Sequence, residues 1–586
     1  MASGEAPGEG ARQRAEKQAS LSFDAARAAS ARAWNKARTL PARMTEPAST
    51  ARSLCERVVR EAWAAEPTLA RWSGEHSYDG VLGDIGASAV ARRASVFEGL
   101  AAELDALPLS RLDAEARADV RSARLVLAED VMRTRDLRQF ALDPRRALDA
   151  GADVASYISR DYAPTADRAA ALSRHLEQLP DYLEAAFPLL DPRVWEGPRL
   201  IAVDGGRGYA AFLRDDVRRE LGPLDGPLAA RLDAAIEVAA RACERWSERV
   251  AELGTLPDSA LGPERFVALL EAQEGISETV ESLRRRADAE LERLEAQTRE
   301  LAGRVAPGRP VTEAFDLMED DHPGADEVLP AAASMLDRLR DFWIGTGVIS
   351  IPADARCEVR PTPAFRRWSS ASYEPPGALD PPGMPHYYFV TTVQADWDAE
   401  QTEQWLRYLN YPSLENVSVH EAFPGHFVHF LNGYRSPSLV RRVFSPAGFV
   451  EGWAHYTEQL AMEQGLAEGR PLLQLAQLQD ALLRAVRFRA AVGLHCEGMP
   501  LDAATRLFEE RAFMHHHPAE REALRGTHDP LYLVYTYGKL EILRWREELQ
   551  HRGGYDARSF HDTLTTCGFP PLAVVRDLVL GDGEPG

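Results

Sequence analysis

The stretch VSVHEAFPGHFVHFLNGY, residues 417–434, decides how this chain is interpreted. It places two imidazoles, His420 and His426, beside the carboxylate of Glu421 in a segment that is otherwise apolar and aromatic. Burying such polar groups is costly unless they have partners, and a metal ion is a suitable partner. In zinc hydrolases, neutral histidines and often a carboxylate bind the metal, and one coordination position stays open for water. A glutamate directly after the first histidine can take the proton from that water as it attacks a carbonyl.

The spacing of the two histidines differs from the plain zincin motif. That motif places its histidines at i and i+4 on one helical face, whereas position i+4 is Pro424 here and the second histidine is at i+6. On a regular helix, residues i and i+6 point about 120° apart. Proline removes a backbone hydrogen bond and glycine tolerates unusual dihedral angles. The pair Pro424-Gly425 therefore predicts a bulge or kink that brings His420 and His426 together.

Two later segments supply further candidate site residues. Glu451 lies in GFVEGWAHYTE, residues 448–458, which reads as a second helix and places this glutamate 25 residues after His426. The spacing leaves room for a short loop and a return, a layout in which two antiparallel helices bring His, His and Glu to one metal. The segment DPLYLVYTYGK, residues 529–539, places three tyrosines near the C-terminus. A phenol hydroxyl is a suitable donor to a tetrahedral oxyanion.

The segments HEAFPGH, FVEGWAHYTE and DPLYLVYTYGK together resemble the bacterial DUF885 family, over the range from about Ala65 to Leu580. That family is similar in turn to the mostly helical zinc peptidases oligoendopeptidase F, thimet oligopeptidase and carboxypeptidase Taq. The resemblance implies three roles for residues of this chain. They are metal ligands at His420, His426 and Glu451, a general base at Glu421, and an oxyanion donor at Tyr535 or Tyr537.

This sequence also departs from the family pattern. A glutamine is usual where His429 stands, an aspartate is usual near Ala491, and the residue at His455 is not typically histidine. These changes leave the implied metal ligands intact and bear on the choice of substrate.

Composition restricts the class of protein. The 586 residues are 45% hydrophobic, enough for a large core, and carry a formal net charge of -22. Nucleic-acid binding needs clustered positive charge, so we predict no nucleic-acid partner. We also predict no membrane contact, because no stretch reaches the roughly 20 consecutive apolar residues of a span and the N-terminus lacks the apolar segment of a secretory signal.

The five cysteines are dispersed along the chain, which fits reduced thiols in a cytoplasmic location. They are Cys55, Cys243, Cys357, Cys496 and Cys567.

We predict a mostly α-helical, zincin-like architecture with three regions. Residues 1–45 form a flexible N-terminal arm, residues 46–340 a helical region that forms one wall of the cleft, and residues 341–586 the catalytic region. Apolar residues at three- and four-residue spacing predict amphipathic helices in the second region. Within it, residues 276–301 predict a long charged helix packed on one side. Residues 205–208 lack the ending of a phosphate loop and predict a simple turn.

Short β-branched and aromatic runs predict a small sheet immediately before the metal-binding helix. They cover residues 347–352, 357–361 and 386–393. The edge of this sheet can pair with an extended peptide, which is a common way for proteases to hold substrate backbone. The Pro/Gly-rich stretch 369–385 predicts a long loop, either at the border of the cleft or as a passive surface loop.

Polar residues after the main motifs have both structural and functional interpretations. Residues 472–494 predict an amphipathic helix with His495 at its end, as a core or capping histidine or as a residue near the site. The run His515-His516-His517 predicts an exposed helix-loop junction rather than a metal site. Three further cations can either recognise a substrate carboxylate or form ordinary salt bridges. They are Arg525, His528 and Lys539.

The sequence predicts a zinc-dependent hydrolase, with one Zn²⁺ per chain, that cleaves an amide bond in a peptide or small peptide-like substrate. One alternative is a carboxylate-histidine di-iron redox enzyme, because Glu451, His455 and Glu458 fall at i, i+4 and i+7 on one helical face. A binding protein derived from a hydrolase is another, although the retention of Glu421 counts against it. A third is a dedicated biosynthetic hydrolase of a small molecule. Exo- or endo-cleavage and the oligomeric state stay open.

Overall fold

Most of the chain is helical, and its strands form two small sheets. The structure is a computed structural model that describes residues 46–256, 259–367 and 369–581. The predicted N-terminal arm, residues 1–45, lies outside the described residues. Within them, the prediction of a mostly α-helical fold is confirmed.

Helices fill the region before the larger sheet because apolar residues recur there every three or four positions. The long charged helix predicted near residues 276–301 extends from Val280 to Val305. Its buried apolar residues form a narrow stripe, and it packs against the helix Pro471–Cys496. The α-helices of this region are Glu46–Ala65, Pro67–Trp72, Ala87–Asp105, Ala114–Val131, Gln139–Leu142, Arg145–Ala152, Ala155–Ser159, Thr165–Ala186, Glu196–Asp215, Val217–Leu221, Gly226–Ala251, Pro263–Glu274, Val280–Val305, Val311–Glu319 and Val328–Thr346.

Helices also carry all the predicted site residues. The helix expected over residues 472–494 is confirmed as Pro471–Cys496. Among the described residues, every helix is too short or too polar to span a bilayer. The α-helices after the larger sheet are Ala399–Tyr408, Tyr411–Glu421, His426–Gly433, Leu439–Val443, Ala447–Glu463, Pro471–Cys496, Leu501–Arg511, His516–His528, Val534–Arg552, Ala557–Thr566 and Leu572–Leu580.

The two sheets differ in position and topology. Strands β1, Arg193–Trp195, and β2, Gly254–Leu256, form a parallel pair. The larger sheet precedes the helix that carries His420, as predicted, and it consists of β3, Glu358–Pro361, β4, Ala371–Glu374, and β5, Tyr387–Val390. Its order is β3-β5-β4, with β3 parallel and β4 antiparallel to β5. Strand β4 is therefore an edge strand.

Two details of the larger sheet differ from the prediction. Residues 347–352 form no strand, because Gly347 ends the preceding helix with a φ of 66° and the backbone N–H and hydroxyl of Ser350 donate to Asp562. Conversely, β4 lies inside the stretch 369–385 that the sequence predicted as a loop. It is a strand because its backbone pairs with β5, a tertiary contact that local composition does not reveal.

The turn predicted at residues 205–208 is wrong, because these residues lie inside the helix Glu196–Asp215. A Cβ on Gly206 would lie 2.7 Å from the carbonyl oxygen of Cys243, which belongs to the neighbouring helix Gly226–Ala251. Glycine therefore permits close packing of the two helices at a position where its low helix propensity suggested a break.

Buried apolar side chains form three clusters within the described residues. The largest contains Phe266 and Trp343 together with Trp453 and Trp545. It thus joins helices on both sides of residue 340, where the sequence predicted a boundary between regions. The helix Val280–Val305 is packed into the same core as the helices that carry the candidate site.

His76 connects the first helical region to the loop that follows β4. Its Nε2 lies 2.8 Å from Oδ1 of Asp380 in that loop, and its Nδ1 lies 3.3 Å from Oδ1 of Asp79. The imidazole ring stacks on Tyr162 with ring centroids 3.6 Å apart. A protonated imidazole can donate to both carboxylates at once.

This arrangement predicts a loss of stability in alkaline solution. Burial lowers the pKa of His76, but the hydrogen bonds to Asp380 and Asp79 outweigh burial and raise it to about 9. Because the unfolded pKa is about 6.5, the stabilisation is complete below that pH and is lost as the pH rises through 9. We expect the wild-type Tm to fall more than that of His76→Gln over this interval, by the equivalent of about 2 kcal/mol. Parallel Tm curves in thermal unfolding would contradict this assignment.

Candidate metal centre

The candidate site is built on a broken helix. One helix, Tyr411–Glu421, contains His420 in its last turn, and a second, His426–Gly433, begins at the second histidine. A Cβ on Gly425 would lie 1.8 Å from the carbonyl oxygen of His420, so only glycine allows the chain to turn this closely. The bulge or kink predicted at Pro424-Gly425 is therefore confirmed.

Glu451 lies beside both histidines. Its Oε2 is 3.5 Å from Nε2 of His420 and 3.4 Å from Nε2 of His426. Metal–ligand bonds of about 2.0–2.1 Å in tetrahedral geometry separate the ligand atoms by about 3.3–3.4 Å. His420 and His426 are 5% and 8% exposed. These three side chains therefore fit the ligand set of a single zinc ion.

The three groups are also electrostatically coupled. Burial would raise the pKa of Glu451, but the charges and hydrogen bonds of His426 and His420 hold it well below its usual range. Burial and the charge of Arg484 lower the pKa of His420, yet hydrogen bonds to Glu451 and Glu458 outweigh them and raise it to about 9. A cation shared between these nitrogens and carboxylates is thus favoured, whether it is a proton or a metal ion.

Glu421 presents its carboxylate to the same space. One oxygen of Glu421 and one nitrogen each of His420 and His426 lie within 4.8 Å of one another. The backbone N–H of Tyr373 in β4 donates to Oε2 of Glu421 at 2.8 Å. This contact holds the carboxylate beside the two histidines, where a general base can reach a water molecule.

The side chain of Tyr373 forms part of the wall around the histidines. Its ring lies parallel to that of His426, with centroids 6.4 Å apart and an angle of 20° between the planes. Its hydroxyl lies 2.6 Å from Nδ1 of His386. Strand β4 thus touches the candidate site through both the backbone and the side chain of one residue.

A second carboxylate orients His420 from behind. Oε1 of Glu458 lies 2.7 Å from Nδ1 of His420, on the opposite side of the ring from Glu451. Glu458 is fully buried, and Arg484 lies 3.3 Å from the same oxygen. A hydrogen bond from Nδ1–H to a carboxylate fixes the tautomer that leaves Nε2 free to bind a metal. Sequence reasoning assigned Glu458 only to the di-iron alternative.

The two carboxylates of the di-iron alternative contact different nitrogens of His420. Glu451 and Glu458 lie on opposite sides of His420, and Nδ1 of His455 lies 3.4 Å from Oε2 of Glu458. Among the described residues, His420, Glu421 and His426 form a cluster of candidate ligand atoms that includes neither His455 nor Glu458. A dinuclear centre needs matching ligand sets on neighbouring helices.

The two candidate oxyanion donors occupy different places. Burial raises the pKa of Tyr535 to about 12, and the charge of Glu451 acts in the same direction. The hydroxyl of Tyr537 instead donates to Glu278 at 2.9 Å, and Arg286 lies over its ring. The hydroxyl of Tyr537 is therefore already bonded to Glu278, and Tyr535 is the remaining candidate donor.

Close contact between two glycines packs the helix of Tyr535 against the helix of Glu451. The helices Ala447–Glu463 and Val534–Arg552 cross where a Cβ on Gly452 would lie 2.7 Å from Cα of Gly538. Both glycines belong to the sequence segments that carry the resemblance. Isolated glycines inside helical patterns are the signal that predicts such a close approach.

The buried carboxylate of Glu274 was not predicted to be part of the site. It accepts hydrogen bonds from the backbone N–H groups of Gly448 and Leu572, each at 3.0 Å. These groups begin the helices Ala447–Glu463 and Leu572–Leu580, so Glu274 caps both. It therefore fixes the start of the helix that carries Glu451. Nothing in the local sequence around Glu274 indicates this role.

The positions that depart from the family pattern lie in the interior. His429, His455 and Ala491 are all 0% exposed. The ring of His429 packs against Phe449 and Phe569, with centroids 4.7 and 5.0 Å away. His429 therefore packs among aromatic rings, whereas Nδ1 of His455 lies 3.4 Å from Oε2 of Glu458.

The remaining polar candidates are mostly structural. Nε2 of His495 lies 2.8 Å from the carbonyl oxygen of Gly526, in agreement with a core histidine. Residues 515–517 are exposed where the helix His516–His528 begins, as predicted. Lys539 is fully buried and donates to Glu290 at 2.6 Å. Arg525 bonds to Asp529 but keeps part of its side chain exposed, and His528 is half-buried on the same helix.

The family model for "Bacterial protein of unknown function (DUF885)" matches residues 67–579. The chain belongs to the DUF885 family. The match covers nearly all described residues and includes every candidate site residue. The family resemblance predicted from the three motifs is therefore confirmed. No curated protein matches the chain.

Solved structures share the fold of this DUF885 protein. One is a "putative lipoprotein of unknown function" from Shewanella oneidensis, with a TM-score of 0.75, 22% identity, and coverage of 90% of this chain and 99% of that one. Another is a "putative lipoprotein" from Colwellia psychrerythraea, with a TM-score of 0.74, 17% identity, and coverage of 92% and 99%. These similarities establish the fold over almost the whole of both neighbours.

Proposed function

We propose that the protein is a zinc-dependent metallohydrolase with a zincin-like site that cleaves an amide bond in a peptide or small peptide-like substrate. The supporting observation is the placement of Glu451 Oε2 at 3.5 and 3.4 Å from the Nε2 atoms of His420 and His426, with Glu421 beside them. One zinc ion held by these ligands would polarise a carbonyl and lower the pKa of a water molecule.

The protein's own groups supply the proton transfers and the charge stabilisation. Glu421 accepts a proton from the attacking water at its carboxylate and delivers it to the leaving amine. The N–H of Tyr373 orients that carboxylate through Oε2. The hydroxyl of Tyr535 donates to the carbonyl oxygen as negative charge develops on it. These groups are only partly exposed to solvent, which strengthens each interaction.

The position of β4 supports a peptide substrate. It is an edge strand of the larger sheet, and its residue Tyr373 contacts both Glu421 and His426. An extended peptide that adds to such an edge bonds to the backbone groups other than the N–H of Tyr373, which already donates to Glu421. Its carbonyl groups then pass close to the general base.

Metal analysis tests this proposal. We expect about one zinc per chain in protein purified without added metal, and its loss in His426→Ala, because two ligands cannot hold the ion against buffer. The matched control is His517→Ala, an exposed histidine, which keeps its zinc. Elemental analysis of the three proteins measures the result. Two irons per chain would favour the redox alternative, and no metal in any of them would favour a binding protein.

The cysteines support a cytoplasmic location. All five are free in the structure, and four of them have a pKa raised to about 12, chiefly by burial, which makes these thiols unreactive. Free thiols without disulfides fit a reducing compartment. We propose this location together with the absence of nucleic-acid and membrane partners.

A further inference from the structure

Two arginines flank the ring of Tyr535. Cζ of Arg487 lies 5.3 Å from the ring centroid and Cζ of Arg525 lies 5.7 Å from it. The three residues come from three helices, Pro471–Cys496, His516–His528 and Val534–Arg552. Nη2 of Arg525 is also 3.5 Å from the hydroxyl of Tyr535. Two cations therefore lie beside the tyrosine that is proposed above as the oxyanion donor.

Each guanidinium is held by an acidic residue along one edge. Nε and Nη2 of Arg487 donate to the two carboxylate oxygens of Glu522, both at 2.7 Å. Nε and Nη2 of Arg525 donate to Oδ2 of Asp529 at 3.1 and 2.9 Å. Within residues 46–256, 259–367 and 369–581, Nη1 of neither arginine has a hydrogen-bond partner. The acids thus orient both cations while leaving donor groups for a ligand.

Burial lowers the pKa of Arg487, but the charge and hydrogen bonds of Glu522 outweigh burial and raise it. The like charge of Arg525 acts against this rise, because the two cations repel each other. Arg487 keeps 11% of its side chain exposed and Arg525 keeps 34%. An anion placed between the free edges would relieve the repulsion and accept charge-assisted hydrogen bonds.

We propose that Arg487 and Arg525 bind the free terminal carboxylate of the substrate, so that the enzyme cleaves one or two residues from the C-terminus of a short peptide. This inference rests on the proposed function. The hydroxyl of Tyr535 is assigned to the scissile carbonyl, and it lies 3.5 Å from Nη2 of Arg525. One residue of extended chain spans about 3.3–3.6 Å. Only one or two residues therefore fit between the reacting carbonyl and the carboxylate.

Matched substrates test the subsite. The probe pair is an N-blocked tripeptide with a free α-carboxylate and the same tripeptide as its C-terminal amide. We expect wild-type kcat/KM to be about 10-fold to 100-fold higher for the acid. Arg525→Gln should remove this preference, so that kcat/KM becomes equal for the acid and the amide. Arg546→Gln is the control, because Arg546 lies on the helix of Tyr535 and bonds to Glu463 instead.

A binding measurement separates the subsite from the hydrolytic activity. In zinc-loaded Glu421→Gln, calorimetry should show tighter binding of the acid than of the amide, and adding Arg525→Gln should equalise them. Equal cleavage of acid and amide by the wild type, or a preference that survives Arg525→Gln, overturns the subsite and leaves the hydrolase standing. Tighter binding of the acid without cleavage of either peptide supports the subsite and overturns the hydrolase.

Discussion

Replacing Glu421 with glutamine should lower the turnover number by about 10²–10⁴-fold, the usual contribution of a general base. The amide side chain has nearly the same shape as the carboxylate, and its oxygen can still accept the hydrogen bond that Tyr373 donates at 2.8 Å. It cannot take a proton from water. The substitution therefore removes the proton acceptor and preserves the surroundings of the site.

The measurement is steady-state hydrolysis of a peptide substrate, accompanied by zinc content and circular dichroism. The zinc content and the circular dichroism spectrum should both match those of the wild type, because the proposed metal ligands are unchanged. Glu415→Gln is the matched control, since Glu415 lies on the same helix but bonds to Arg470. Its turnover should equal that of the wild type. A Glu421→Gln enzyme with near-normal turnover would show that another group carries the proton.

The sequence predicted the parts of the site that depend on neighbouring residues in the chain. Pro424-Gly425 predicted the break, because proline and glycine change the backbone wherever they occur. The spacing between His426 and Glu451 predicted two adjacent helices. Short aromatic and β-branched runs predicted β3 and β5.

The parts that depend on tertiary packing were not predictable in the same way. Tyr535 and Tyr537 are two residues apart, so they point about 200° apart on a helix, and only the packing of that helix decides which one faces the site. Strand β4 exists because β5 pairs with it. Glu274 caps a helix 174 residues further along the chain. Such contacts have no periodicity or composition that marks them in advance.

The chemical role of Glu458 could not be predicted from its spacing in the sequence either. Its position seven residues after Glu451 placed both carboxylates on one helical face, which suggested two metal ligands. In the structure, Glu451 faces Nε2 of His420 and Glu458 faces Nδ1 of the same ring. One helical face therefore supplies two carboxylates with different roles. Glu451 is a proposed metal ligand, and Glu458 orients His420, which is another proposed ligand.

This difference between the two carboxylates predicts a graded series of metal affinities. Glu451→Ala should reduce zinc content from one ion per chain to near zero, because it removes one of three proposed protein ligands. Glu458→Gln should weaken zinc binding by about 10–100-fold, the usual effect of losing the partner that orients a histidine ligand. Glu463→Ala, on the same helix, should leave affinity unchanged, because Glu463 bonds to Arg546 instead.

Competition with a fluorescent chelator measures all three affinities on one scale. The ranking of the three variants by zinc affinity is decisive, because a general loss of stability in this helix would weaken zinc binding in all of them to a similar degree. If Glu451→Ala keeps full zinc stoichiometry while Glu458→Gln loses it, the two carboxylates have exchanged roles and the ligand set must include Glu458. If both variants keep zinc, the ion is bound elsewhere, and the coupling of His420 and His426 to Glu451 is an ordinary buried ion pair.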